Sequence, residues 1–480
     1  MIFNSFDFMI FFPIVVLIYM IIPRKIRYLW LLAASYYFYM CWNPKYVVLI
    51  ATSTVITWCS GILLEWARLK PNYVRKCIVL GSFASNLTIL IVFKYLDFIL
   101  TNLNRILSYC HIQLISNPWD LLLPVGISFY TFQALSYTMD VYRGEIVAEK
   151  NVLKYALFVS FFPQLVAGPI ERSANLISQI QRVDTFDLWN SKRIRDGLLW
   201  MLWGLFQKIV IADRIALFVT EVYEAYYSYG FLEIALATIL FAFQIYCDFD
   251  GYTNIAIGAA KVMGFELMKN FKQPYLAGTI KEFWRRWHIS LTSWFTDYLY
   301  IPLGGSKKGT IRKYINIGIV FFISGLWHGA SWNYIVWGCL HAAYQITEDI
   351  IRRAREKRGK MTRQHMLLTF LLVDFAWIFF RATSASGAVN IIKQMFTTIK
   401  TTSILEIGLT RGDWLVLFVA LLILLIRDWL HEKGISMLEY FERQHDFVKI
   451  MLCIGAVWFL VLFGIYGVSY DASQFIYFQF

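Results

Sequence analysis

Charge is scarce in this chain: 32 Asp and Glu with 45 Lys and Arg among 480 residues make only 16% of the whole. Set against 58% hydrophobic residues and a mean hydropathy of +0.54, that shortage excludes an ordinary soluble globule. Also missing are CxxC and Cys/His ligand spacings. Cys41, Cys59, Cys77, Cys110, Cys247, Cys339 and Cys453 are scattered, mostly inside apolar runs; no metal or redox site is expected, and they read as small packing residues. There is no internal repeat, no low-complexity tract and no linker long enough to separate a pair of domains. The amino terminus, MIFNSFDFMIFFPIV, has neither a basic leader nor a small-residue cleavage site, so its apolar segment is expected to stay.

What the chain does have is apolar length. A helix needs about 20 mostly apolar residues to cross a bilayer, and such stretches lie near 6–22, 46–64, 77–100, 121–139, 197–220, 231–249, 313–328, 332–347, 366–380, 413–430 and 448–466. The runs YLWLLAASYYFYMCW and YALFVSFFPQLVAGPI suit half-spans or re-entrant pieces. The expected fold is all-α and polytopic, with about a dozen transmembrane or re-entrant helices in a single domain over residues 1–480. The net charge of +13 does not call for nucleic acid, because the basic residues sit in short clusters between spans, as the positive-inside rule requires. IRRAREKRGKMTRQ, with Arg352, Arg353, Arg355, Lys357, Arg358, Lys360 and Arg363 against Glu356, marks a cytoplasmic loop. Arg24, Lys25 and Arg27 place the short amino terminus outside, and counting spans from the basic loop places the carboxyl terminus outside too.

The middle of the chain, about 120–345, is broken by Pro124, Pro163, Gly168, Pro169, Pro274 and Pro302. Irregular backbone at membrane depth persists only when buried in protein or lining a cavity, so a central funnel is expected there. Two histidines stand out. His328, in SGLWHGASW, closes the apolar run INIGIVFF, and an ionisable group at that depth is a functional candidate by default; the bland alternative is a bond to a neighbouring helix. His288 lies in KEFWRRWHISLTSWFTDYLYIPLGG, where Trp284, Trp287 and Trp294 with Arg285 and Arg286 equally suit a helix at headgroup level.

Four segments must be explained together: PVGISFYTFQALSYTMDVYRG at 124–144, FFPQLVAGPIER at 161–172, FQIYCDFDGYTNIAIG at 243–258, and FWRRWHISLTSWFTDYLYIPLGG paired with SGLWHGASW. In this order and spacing the chain resembles the membrane-bound O-acyltransferase (MBOAT) family. The likeness is to its bacterial branch, the membrane proteins of alginate O-acetylation, peptidoglycan O-acetylation and teichoic acid D-alanylation. The resemblance implies that His328 is the catalytic histidine and His288 the second functional position, where other branches carry Asn. His341, Asp248, Arg285 and Arg286 become candidates to support them or bind substrate. The branch usually reads DFSGYSD where this chain has DFDGYTN, so Asp248 matches and no role passes to Asp250 or Asn254. The final QFIYFQF resembles an acyl-relay motif over 474–480, which makes Tyr477 the candidate relay nucleophile.

The activity so implied is transfer of an acyl group, acetyl from acetyl-CoA, from a cytoplasmic thioester to an extracytoplasmic polysaccharide. No bound cofactor or metal is expected. The implied partners are membrane lipid and a secreted or membrane-anchored serine esterase-like (SGNH-type) transferase, and the implied location is the bacterial plasma membrane. A neutral imidazole suits this chemistry as base for the hydroxyl proton. Two rivals stand: a transporter or flippase with histidine proton relays, against which no repeated halves are seen, and a glycosyltransferase using Asp248 and Asp250 as a metal pair, a weak signal with Cys247 and Phe249 interleaved.

Overall fold

The computed structural model describes residues 1–117, 123–166, 168–357, 365–398 and 403–466; Tyr477, like the rest of the terminal motif, lies outside them. No strand occurs among the described residues. Five helical stretches there are long and apolar enough to cross a membrane, Pro44–Leu69, Asn72–Tyr109, Phe231–Val262, Arg411–Glu432 and Asp446–Phe463, and a shorter apolar helix covers Phe6–Ile21. The chain divides into two compact units, Met1–Leu198 with Ala256–Met268, and Leu199–Ile255 with Lys269–Phe480.

The first unit begins with α1 (Phe6–Ile21), α2 (Arg27–Met40), α3 (Val47–Trp66), α4 (Asn72–Leu90) and α5 (Leu96–Tyr109), the last two joined by a π-helical turn. Ser5 starts α1 by accepting from the Phe8 amide, an N-cap that satisfies one of the orphan donors of a helix start. It continues with α6 (Ile127–Arg143), α7 (Val152–Ser160), α8 (Phe162–Leu165) and α9 (Ser173–Gln181). Gly126, at φ 76, turns the chain into α6, where a Cβ would stand 2.7 Å from the Leu165 carbonyl oxygen. Within its described part, from 123 on, the apolar run expected from 121 becomes helical at Ile127. The chain breaks between α7 and α8 at Phe161, just before Pro163, as a proline near a helix start dictates. Packing among α3, α4, α6 and α7 is knit by small polar groups. Ser53 donates to Asn86 at 2.6 Å, Tyr155 to Thr57 at 2.7 Å, and Ser82 and Thr138 share a bond at 3.2 Å. In an apolar solvent such bonds hold helices together where hydrophobic burial does not.

In the chain α10 (Ser191–Leu205) precedes α11 (Asp213–Glu224) and α12 (Phe231–Val262) follows it, and a π-helical turn at Phe206–Ala212 joins α10 to α11. The apolar pattern of α12 ends near 249, yet the helix runs on through DFDGYTNIAIG because its polar residues are paired, as shown below.

The second unit adds α13 (Ile280–Arg286), α14 (Ile289–Phe295), α15 (Thr310–His328), α16 (Trp332–Lys357), α17 (Met366–Arg381), α18 (Ala385–Thr397), α19 (Arg411–Glu432), α20 (Met437–Glu442) and α21 (Asp446–Phe463). The hairpin of α15 and α16 is the most extensive helix pair among the described residues. Gly325 and Gly338 make that approach possible: a Cβ on either would collide with the facing backbone, at the Tyr334 and Phe321 carbonyls. The headgroup-helix reading of the 281–305 segment is not what forms. Trp284, Trp287 and Trp294 are all buried, since α13 and α14 are short helices packed inside the protein, with α13 against α16 and α17.

Candidate active site

His288 is placed by a strained turn. It is the residue before α14, with φ 43 and ψ 55, a left-handed conformation that costs most side chains about 1–2 kcal/mol. Such strain persists only where the surroundings over-determine it, and Asn270 does so here. Its backbone carbonyl accepts from the Ile289 amide at 2.8 Å, and its side-chain oxygen accepts from the Ser290 amide and hydroxyl at 3.3 and 2.6 Å. The Asn270 amide in turn donates to Thr253 at 3.3 Å. The buried imidazole meets the Phe249 ring edge to face at 4.7 Å between centroids.

His328 is the last residue of α15 and is 3% exposed. Its ring is surrounded edge to face by Trp327 and Trp337, each at 4.9 Å, and Phe380 at 5.3 Å. Trp327 also packs on His288 at 5.8 Å, so the two imidazoles share one indole as neighbour despite the 40 positions between them. An aromatic shell of this kind holds a ring's orientation and excludes water, two conditions for a base that must act in one direction.

His341, fully buried on α16, accepts at Nδ1 from the Trp284 indole N–H at 3.3 Å. That bond assigns its proton to Nε2. Its ring lies nearly parallel to Phe283 and Phe321, and Trp337 bridges it to His328. His341 thus stands behind Trp337, one of the tryptophans against His328.

Asp248 is occupied by a lysine. Lys208, in the π-helical turn before α11, places Nζ 2.7 Å from Asp248 and 2.7 Å from Asp213, with all three side chains almost wholly buried. π-helical turns often mark functional positions. Asp250 has different partners: Gln207 donates to it at 2.8 Å and Asn254 at 3.0 Å, while Asn254 also donates to Gln207 at 2.7 Å. The closed Asp250–Asn254–Gln207 triangle accounts for the exchanged residues of DFDGYTN, and the two aspartates of the D-x-D sequence serve separate networks. Lys208, Asp213 and Gln207 were not singled out from the sequence, although the charges inside FQKIVIADR are the signal that would have found them.

The neighbouring arginines differ. Arg286 is clamped by Glu282 at 2.6 Å and, through both terminal nitrogens, by Glu432 at 2.7 and 2.9 Å. Arg285 lines a cavity of ≈ 680 Å³. Its lining combines charge, with Lys281, Arg285, Lys313 and Arg352 outnumbering Glu348 and Asp349, and apolar groups, among them Trp284, Leu291 and Phe321, and includes Ser324, one helical turn before His328. Asp349 accepts from Lys313, Arg352 and Arg353 at 2.7, 2.8 and 2.9 Å, which ties α15 to the charged end of α16.

The chain matches the model of "MBOAT, membrane-bound O-acyltransferase family" over residues 142–385. Among its relatives, the "Probable alginate O-acetylase AlgI" of Pseudomonas putida is 37% identical over 83% of this chain and 80% of its own length. The "Peptidoglycan O-acetyltransferase" of Helicobacter pylori is 37% identical over 76% and 73%, and the "Teichoic acid D-alanyltransferase" of Bacillus subtilis 27% identical over 55% and 70%.

Proposed function

The chain belongs to the membrane-bound O-acyltransferase family and is an integral membrane acyltransferase; from that premise we propose that it carries an acetyl group from a cytoplasmic thioester to a polymer outside the plasma membrane of a bacterium. The observation that carries the reading is the ≈ 680 Å³ cavity, whose lining holds more cationic than acidic side chains together with apolar ones and reaches Ser324, one turn before His328. Lys281, Arg285, Lys313 and Arg352 suit the phosphates of acetyl-CoA, as point charges and as a guanidinium fork. The apolar side chains suit the thioester arm. The basic loop after α16 supports a cytoplasmic mouth for this cavity and, by span counting, a carboxyl terminus outside, as Arg24, Lys25 and Arg27 do for the amino terminus.

In this reading His328 takes the proton of the attacking hydroxyl, the oxygen bonds to the thioester carbonyl carbon, and the carbon–sulfur bond breaks as the thiolate recovers the proton from the imidazolium. A positioned base of this kind contributes about 10² to 10⁴-fold. His288 holds the carbonyl oxygen or the hydroxyl, and Lys208 with Asp213 and Asp248 braces the helices behind it. The first acceptor hydroxyl is the phenol of Tyr477, whose aryl ester stays activated for a secreted or membrane-anchored SGNH-type serine transferase. That partner passes the acetyl to the polysaccharide. The relatives' names point to an exopolysaccharide or peptidoglycan as the polymer.

The test is free-thiol release from acetyl-CoA by the purified full-length protein, together with acetylation of the polymer in cells. His328→Gln, which keeps shape but cannot accept the proton, should cut both by about 10²-fold or more. Tyr477→Phe, which keeps the ring but deletes the nucleophile, should abolish polymer acetylation. Near-normal acetylation by a well-folded His328→Gln protein would sink the base assignment, and by Tyr477→Phe the relay.

A further inference from the structure

The cavity wall that follows α15 runs from Lys313 to Ser324, about 16 Å along the helix. His328 comes one turn later, about 6 Å further. Trp284, also in the cavity wall, packs its ring on Phe321 at 5.2 Å and on Trp337 at 5.7 Å, while Trp337 meets His328 at 4.9 Å. Trp284 is thus shared between the cavity wall and the aromatic cluster around His328. The ring has little room to yield. Phe283 packs on it at 5.5 Å, and its N–H is spent on His341, which is itself held between Phe283 and Phe321 at 6.2 and 6.1 Å, nearly parallel to both. Swinging aside would leave a buried donor and a buried acceptor unmatched.

We infer that Trp284 determines the acyl length this protein accepts by closing the space beyond a bound acetyl group, and that His341 is the positioning residue that keeps the indole in place, so that acetyl fits and butyryl or longer does not. The inference rests on the thioester reading above and adds the residue that selects within that class. It also gives His341 a role that needs no contact with substrate. The bond at Nδ1 is what matters, because only an acceptor at that position holds the indole N–H.

The experiment compares acetyl-, propionyl-, butyryl- and hexanoyl-CoA as donors for the full-length protein in nanodiscs, read as thiol release and expressed as ratios of kcat/KM. Wild type should favour acetyl over butyryl. Each buried methylene adds about fourfold, so Trp284→Ala should shift the butyryl-to-acetyl ratio upward by about tenfold or more, and Trp284→Phe by less. His341→Phe fills the ring's space without an acceptor and should shift the ratio in the same direction. His341→Asn, whose amide oxygen stands where Nδ1 was, should keep the wild-type ratio. The unreactive thioether S-butyl-CoA reads binding without turnover and should stabilise Trp284→Ala against heat more than wild type. An unchanged length profile in both Trp284 variants, or equal broadening by His341→Asn and His341→Phe, overturns the inference while leaving the acyltransferase reading intact. Thiol release from none of the thioesters by wild type overturns the donor reading, and the inference with it.

Discussion

Replacing His288 separates its backbone from its side chain. Ala and Gly both delete the imidazole and leave nearly the same void beside Phe249, so the difference between them reports the turn alone. At φ 43 and ψ 55 an alanine carries about 1–2 kcal/mol of left-handed strain, whereas glycine carries none but loses about 0.5–1 kcal/mol more on folding through its greater freedom when unfolded. The balance favours His288→Gly over His288→Ala by about 0.7 kcal/mol, a factor of about three in the unfolding equilibrium and on the order of 1 °C in melting temperature for a chain of this size. Asn, the side chain most at ease in this region, should be the most stable polar replacement. Activity should follow a different order. Ala and Gly should both lose about 10² to 10³-fold if the imidazole holds the developing oxyanion, and Asn, which still offers a hydrogen bond, should lose less. Thermal unfolding followed by tryptophan emission in detergent, alongside thiol release from acetyl-CoA, reads both orders. His288→Ala melting at or above His288→Gly would refute the strain argument, and near-normal turnover in both would remove His288 from the chemistry.

Lys208→Met should be among the most damaging single changes, costing about 3–5 kcal/mol because it leaves Asp213 and Asp248 as uncompensated buried carboxylates; fluorescence-detected gel filtration after heating checks this, and adding Asp248→Asn should recover some of the loss. Arg286→Ala should lower the melting temperature by breaking the Glu282–Glu432 clamp, while Arg285→Ala should chiefly raise KM for acetyl-CoA, with a salt dependence weaker than wild type. Burial pushes the Glu171 carboxyl up to about 7, against the bonds it accepts from Met268 and Asn175. A carboxyl raised on folding contributes stability that is full below the unfolded pKa and is lost as pH rises through the folded one. The melting temperature should therefore fall as pH rises from the ordinary carboxyl range to about 7 and level off above it, and Glu171→Gln should flatten that fall; an identical slope in the variant would exclude Glu171 as its source.

Apolar length along one dimension was enough to place α1, α3, α15, α17, α19 and α21 to within a few residues, because a bilayer demands about 20 apolar residues whatever the fold. The same reading marked His328, since an imidazole in an apolar run needs a reason, whereas His288, among arginines and tryptophans, was marked by the family resemblance. It could not read α12 to its end, because Asp248, Asp250 and Asn254 look like a helix stop until Lys208 and Gln207, about 40 residues earlier in the chain, are brought alongside to neutralise and bond them. Nor could it choose between an interfacial and an interior setting for Trp284, Trp287 and Trp294, since tryptophan suits both, and only the packing of α13 against α16 and α17 decided. Adjacent Arg285 and Arg286 are alike in the chain. They differ because one faces a cavity and the other the carboxylate of Glu432, 146 positions away. Composition and periodicity are local sums and survive being read in a line, whereas partnership depends on which distant side chain arrives within about 3 Å, and that is settled only when the helices have packed.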